Sequence, residues 1–318
     1  MEFINLPLEI HILIAEQSGS DRAINSLART NRTFHQLLNL ILDQRNAKRK
    51  KGRSALVWAA KHDMQPTAQL ALKYHNPLKK TKPLLVAAKN GHNRIVQLLL
   101  AKKGVNIKAK ATDKDKYTAL ELAVMGNHGS VVKQLLDAGA NINPRKTSGR
   151  IRHRQSQSPL LFALSSHLYD AARPLIESGR VDLERGNRWG KTALSLAARC
   201  EAGDMVQCLL AAGANPNFYL HPPSSPLNRA VFAGYVDIIK VLLAHGADPN
   251  VAFGDNQHTS IFIAILIGRL EFVRTLVESG VVDVSHLDGA DDTPLSFALT
   301  RGRADIASVL LRKARFST

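Results

Sequence analysis

The sequence predicts an all-α fold, a solenoid of about eight short helical units preceded by a small N-terminal helical segment. Three observations carry this expectation. The phrase "LLDAGANIN" (135–143) returns as "LLAAGANPN" (209–217) and "LLAHGADPN" (242–250). A Thr or Ser followed by Pro or Ala and then Leu precedes each recurrence; with this position as origin, units begin at Ser54, Lys82, Thr118, Ser158, Thr192, Ser225, Thr259 and Thr293, spaced 28, 36, 40, 34, 33, 34 and 34 residues apart. A period near 33 marks a stacked helical array. Finally, 318 residues exceed one ordinary core, and 45% hydrophobic residues with only 5% aromatics point to a core of Leu, Ala, Val and Ile.

Each element of the unit has a local cause. The Ser or Thr at the origin can accept a hydrogen bond from an orphan N–H and so cap a helix. Pro83, Pro159, Pro226 and Pro294 follow at the first helical position, where a missing N–H costs nothing. "PLNRAVFAG" and "ALSLAARCEAG" space apolar residues for one short helix, and "VDIIKVLLAHG" supplies a second. Gly139, Gly213, Gly246 and Gly280 stand where a left-handed C-terminal cap is wanted. "ADPN" and its relatives then turn the chain toward the next unit.

These residues resemble the ankyrin repeat family, whose pattern runs T-P-L-H-x-A-A-x-x-G-H and then V-x-x-L-L-x-x-G-A-x-x-N. "KPLLVAAKNGHNRIVQLLLAKKG" (82–104) and "SPLNRAVFAGYVDIIKVLLAHGADPN" (225–250) are close to it, and the resemblance covers about 54–311. The first unit, "SALVWAAKHDMQPTAQLAL", is degenerate, and the last ends in "VLLRKARFST", as terminal caps do. A single unit cannot bury its apolar face, so neighbours must stack. The repeated residues are thus explained by architecture, and function must lie in what is not repeated.

Residues 1–44 do not follow the repeat. They resemble an F-box segment: Leu6, Pro7, Glu9 and Ile10 match its opening L-P-x-E-I, and Leu27, Arg32, Phe34 and Leu37 match its close. Thr30 and Asn31 stand where many F-boxes carry Val-Cys or Val-Ser. The order of this segment and the repeats resembles the filamentous-fungal F-box and ankyrin proteins. That resemblance implies docking on the small adaptor subunit of a cullin-type (SCF) ubiquitin ligase, with Leu6, Pro7, Ile10, Leu27 and Phe34 as an apolar anchor patch. The plainer alternative is that the segment only caps the first repeat. The expected divisions are 1–44 for the F-box-like segment, 45–53 for a basic linker and 54–318 for the ankyrin repeat domain.

The net charge of +17 is localised. Residues 45–154 hold 25 Lys and Arg against 5 Asp and Glu, while 155–318 hold 15 against 16. Basic runs stand at 45–53, 73–82, 108–116 and 144–157. In ankyrin arrays the hairpin tips and first helices line the concave binding face. The resemblance therefore implies that Lys108, Lys110, Lys114, Lys116, Arg145, Lys146, Arg150, Arg152 and Arg154 lie on neighbouring fingers and meet an acidic protein target. Solvated loops are the bland alternative. Nucleic acid is a weaker candidate partner, because no aromatics interleave with the basic residues to stack on bases. Trp189, in "NRWGKT", is a candidate contact anchor at another fingertip, with Phe218 and Tyr219 on the next finger; packing between adjacent hairpins is the alternative. "KRKK" from Lys48 matches a nuclear import signal.

Other classes find little support. "GNRWGKT" (186–192) has three residues between its glycines where a phosphate loop needs four. Cys200 and Cys208 lie eight apart without a His at ligand spacing, and two cysteines imply no disulfide framework. No zinc pattern, nucleophile elbow or dinucleotide fingerprint appears, so no metal, cofactor or catalysis is expected. No leader or membrane segment is recognised, and the expected compartment is cytoplasmic and/or nuclear. The sequence thus predicts a non-catalytic recognition adaptor. The alternative is a plain ankyrin scaffold for an acidic protein or nucleic acid, without a ligase link.

Overall fold

The computed structural model describes residues 52–74, 82–102, 104–111, 117–143, 158–220 and 225–315. The chain divides into two compact units, 1–141 and 142–318. In the first unit the described helices form three antiparallel pairs: α1 (Gly52–His62) with α2 (Gln65–Tyr74), α3 (Lys82–Asn90) with α4 (Asn93–Leu100), and α5 (Ala119–Met125) with α6 (Gly129–Asp137). First helices pack on first helices (α1 on α3, α3 on α5) and second on second, giving two layers.

Among its described residues the second unit repeats this plan with five pairs. They are α7 (Pro159–Ser165) with α8 (Tyr169–Glu177), α9 (Ala193–Ala198) with α10 (Gly203–Ala211), and α11 (Pro226–Ala233) with α12 (Val236–Ala244). The last two are α13 (Ser260–Ile267) with α14 (Leu270–Glu278), and α15 (Pro294–Thr300) with α16 (Ala304–Arg315). Among the described residues β structure is limited to two isolated antiparallel bridges, Lys110 with Thr118 and Phe253 with His258, each closing a hairpin.

The core follows the expected composition. Ala59, Ala87 and Ala88 in the first unit, and Ala163, Ala230, Ala264 and Ala298 in the second, are fully buried where first helices approach one another. Second helices contribute the branched residues: Ile95, Val96, Val131, Val132, Leu135, Leu175, Val206, Leu209, Ile239 and Leu242. Among the described residues Phe262 and Phe272 are the largest fully buried side chains, each stabilising the fold by roughly 2–3 kcal/mol through area removed from water.

The capping chemistry holds at five origins. Thr118, Ser158, Thr192, Ser225 and Thr293 each accept the N–H three residues on, and Thr118 completes a capping box with Glu121. Pro159, Pro226 and Pro294 take the first helical position. Three origins depart from expectation. Helix α3 begins at Lys82 itself, so Pro83 stands second in the helix rather than first. Helix α1 begins at Gly52, so Ser54 sits inside its first turn rather than before it. Thr259 has the extended backbone of a cap, yet its side chain makes no capping bond and its buried Oγ1 has no hydrogen-bond partner. Gly139, Gly213, Gly246 and Gly280 all adopt positive φ just past their helices, as the left-handed cap requires.

Candidate functional site

The surface that can vary without breaking the stack includes the hairpin fingers and the exposed residues of the helices. Each finger is held by its own base. In the first unit, Ala111 N–H donates to Tyr117 O at 2.7 Å and Lys110 bridges Thr118. Lys108 N–H donates to Asn106 Oδ1 at 3.1 Å, and the side chains of Lys108 and Lys110 are exposed. Thr118 and Glu121 lock the foot of this finger: Thr118 N–H donates to Glu121 Oε2 at 2.7 Å.

The finger at 186–192 resolves the phosphate-loop question. The N–H groups of Trp189 and Lys191 both donate to Asn187 Oδ1, at 2.9 and 3.0 Å, and Gly190 N–H donates to Asn187 O. The donors that a phosphate loop would offer a ligand are therefore turned inward on a side chain of the loop itself. Trp189 is half exposed and carries the Arg188 guanidinium 3.9 Å above its ring centroid, with Lys191 Nζ at 5.9 Å. Against the next finger it is Gly186 that is covered, by the end of the Leu220 side chain, which would have to shift to admit a Cβ there.

The last two fingers are joined by a buried cluster. His258 Nε2 lies 3.4 Å from Asp288 Oδ2, and the ring of His258 stacks on Phe262 at 5.3 Å with an edge contact to Phe297. Asp288 is 7% exposed, and its Oδ1 accepts the N–H groups of Ala290 and Asp292 at 2.8 and 2.9 Å. Burial acts to raise the carboxyl's pKa, but those two N–H groups and His258 outweigh it and hold the group below the usual carboxylate value.

The predicted contacts divide unevenly. Lys108, Lys110 and Trp189 are exposed on fingers. Lys114, Lys116, Arg145, Lys146, Arg150, Arg152 and Arg154 lie outside the described residues, as do Leu6, Pro7, Ile10, Leu27 and Phe34 of the segment 1–44 and most of the linker 45–53. Two family histidines are structural: His92 Nδ1 lies 2.8 Å from Ala60 O, and His128 Nε2 lies 3.1 Å from Lys89 O, each tying a unit to the one before it. Cys200 and Cys208 are free and half-buried, and burial raises the Cys208 thiol. Among the described residues no group of three His, Cys, Asp or Glu could hold a metal ion, and no helix is long and apolar enough to cross a membrane.

One feature of the second unit escaped the sequence reading. A cavity of about 360 Å³ is lined by Arg199, Arg229, Phe232, Ala233 and Tyr235. Its charge lies outside the basic third of the chain, so a tally of charge by region passes over it. A signal was nonetheless present. Arg229 stands four residues past a repeat origin, where the other units of the second half carry Phe162, Leu196, Ile263 and Phe297.

The comparisons with known proteins agree with this architecture. A profile of three ankyrin repeats matches residues 14–111, 73–146, 187–253 and 227–318. Putative ankyrin repeat protein FPV031 of fowlpox virus is 30% identical over 167 residues, 51% of this chain and 48% of the viral protein. The mouse B-cell lymphoma 3 protein homolog is 32% identical over 195 residues, 60% of this chain and 42% of that protein. The chain thus spans less than half the length of these relatives. Among solved structures, the ankyrin repeat domain of Bcl-3 superposes with a TM-score of 0.59 at 31% identity, covering 72% of this chain and 97% of that one. Ankyrin repeats form a scaffold for protein–protein interaction, and that is the module this chain carries. Repeat signature, paired helices and profile coverage of most of the chain converge: this protein belongs to the ankyrin repeat family.

Proposed function

We propose that this chain is the recognition subunit of a cullin-type ubiquitin ligase, docking the adaptor subunit through residues 1–44 and holding an acidic target against its fingers. The observation that carries the reading is the division of labour along the sequence. The repeated residues are consumed by capping, stacking and inter-unit hydrogen bonds, whereas Lys108, Lys110 and Trp189 are non-repeated and exposed on fingers. The 25-to-5 excess of basic residues in 45–154 supports an acidic target, and Leu6, Pro7, Ile10, Leu27 and Phe34 in F-box spacing support the ligase link. The protein would then act by position, raising the effective concentration of its target near the transferring enzyme.

The test is a titration of the purified protein with the cullin-linking adaptor subunit, beside a Leu6→Ala/Pro7→Ala double variant. Binding at about micromolar Kd or tighter, lost in the variant, is expected of an anchor patch that concentrates its energy in a few residues. Absence of binding in both proteins would sink the ligase link.

The second reading, a plain scaffold, is favoured by the solved Bcl-3 domain, which is described as a unique member of the IkappaB protein family. In that case the chain binds a partner without a ligase. Were the partner nucleic acid, log K would fall with log salt at a slope of about 0.9 per phosphate neutralised, and changing Arg150, Arg152 and Arg154 would reduce that slope.

A further inference from the structure

Arg229 departs from the repeat in a way that asks for a ligand. At its place in the unit every other origin is followed by an apolar side chain, including Val86 and Leu122 in the first unit. The equivalent side chains are buried at Leu196, Ile263 and Phe297 and half-buried at Phe162, Val86 and Leu122. Arginine in this place forgoes apolar packing and brings a charge into partly buried surroundings, a cost that persists where the charge is used. Arg199, at the C-cap of α9, lines the same cavity. Burial, and then the proximity of Arg199, hold the Arg229 guanidinium below its usual pKa, although it stays charged. Lys191 is lowered too, by burial first and then by Arg229 and Arg199. Three like charges therefore gather in the half of the chain whose acidic and basic residues nearly balance.

The rest of the cavity is of a different kind. Phe232 is 53% exposed, an unusual state for a phenylalanine, and its ring meets Phe253 of the next finger edge-on at 6.4 Å. Tyr235 and Ala233 complete the wall. Two guanidinium forks beside an aromatic surface suit an oxyanion held next to an apolar group. Guanidinium pairs with carboxylate or phosphate through parallel N–H bonds, and rings supply the non-polar contact. The volume suits one or two side chains rather than a folded surface.

We propose that this cavity is a recognition subsite for a linear peptide segment, placing a side-chain oxyanion, carboxylate or phosphate monoester, between Arg199 and Arg229. A neighbouring aromatic or aliphatic side chain of the same segment lies on Phe232 and Tyr235. This rests on the reading of the repeat array as a target-holding surface and names a chemistry for part of it. It does not depend on the N-terminal segment or on the basic fingers.

The test is arginine-selective modification of the full chain by phenylglyoxal, with each site followed by peptide mass mapping. The probes are phenyl phosphate, phenylacetate and a thymidine oligonucleotide. Phenyl phosphate or phenylacetate at roughly 10 mM, a concentration suited to fragments of millimolar affinity, is expected to slow modification of Arg199 and Arg229 about tenfold. Arg274 and Arg312, exposed on α14 and α16, should keep their rates. Protection by phenyl phosphate alone identifies a phosphorylated segment, and protection by phenylacetate an acidic one. An Arg199→Glu variant, checked for an unchanged Tm, should lose protection at Arg229, whereas Lys108→Ala/Lys110→Ala should retain it. Equal rates with and without both small probes overturn the proposal. So does protection by the oligonucleotide alone, which assigns the site to nucleic acid. Neither result bears on adaptor binding through Leu6 and Pro7, so the two readings fail separately.

Discussion

The side-chain amide of Asn250 donates to the backbone carbonyl of Val281, one unit further along the chain, at 2.8 Å. Its oxygen accepts the N–H of Asp283, also at 2.8 Å. Asn217 does the same one unit earlier, donating to Gly246 O and accepting from Asp248 N–H at 2.8 and 2.7 Å. Asn143 donates to Arg180 O. The asparagine that ends each recurring phrase is thus a clamp between neighbours, and its two-sided amide explains why asparagine recurs there. Where the chain has Glu184, only the accepting half survives, from Asn215 N–H at 2.8 Å.

Asn250→Ala is therefore expected to destabilise the second unit by about 1–3 kcal/mol, since both backbone groups lose a partner on a partly covered edge. Asn250→Asp keeps the acceptor and should cost less than Asn250→Ala near neutral pH. Chemical denaturation followed by helix signal checks the order; a cost for Asp equal to that for Ala would mean that only the donor matters.

Asp288 makes a pH prediction. Its folded pKa is depressed, so its contribution to stability is fully present above the unfolded value near 3.8 and is lost as pH falls through the lower folded value. Stability measured between neutral pH and pH 2–3 should fall more steeply in the parent than in Asp288→Asn, roughly within the carboxylate titration range. Identical acid limbs would show that the Asp288 carboxylate contributes nothing through its charge.

The caps provide an internal contrast. Thr192→Ala removes a capping bond to Ser195 N–H and is expected to cost about 1 kcal/mol. Thr259→Val replaces a buried hydroxyl that has no partner and should be neutral or stabilising by up to about 1 kcal/mol. Thermal melts of the two variants should move in different directions or by clearly different amounts. Equal losses would mean that Thr259 caps its helix in solution.

Gly91 adopts φ +73°, and a Cβ there would lie 2.5 Å from the His128 ring. Gly91→Ala is expected to cost about 2 kcal/mol or more through clash and backbone strain together. In a His128→Ala background the clash is gone and the strain remains, so the cost of Gly91→Ala should shrink without vanishing. Full additivity in a double-mutant cycle would place the whole cost in the backbone.

What the sequence by itself determined is the repeat and its local chemistry. Caps at Thr118, Ser158, Thr192, Ser225 and Thr293, prolines at first helical positions and the left-handed glycines were all legible, because each acts within a few residues of itself. The resemblance to ankyrin repeats was legible for the same reason, being a periodic record of those local needs. The exceptions at Ser54 and Thr259 were not, since where a helix starts or a hydroxyl finds a partner depends on neighbours distant in the chain. The Asn250 clamp was visible only as a recurring letter until Val281 and Asp283 were brought beside it. Tertiary structure alone placed Arg199 of one unit beside Arg229 of the next, and His258 of one finger against Asp288 of another. Stacking converts a separation of about thirty residues into contact, and the energies of burial and like-charge proximity arise only there.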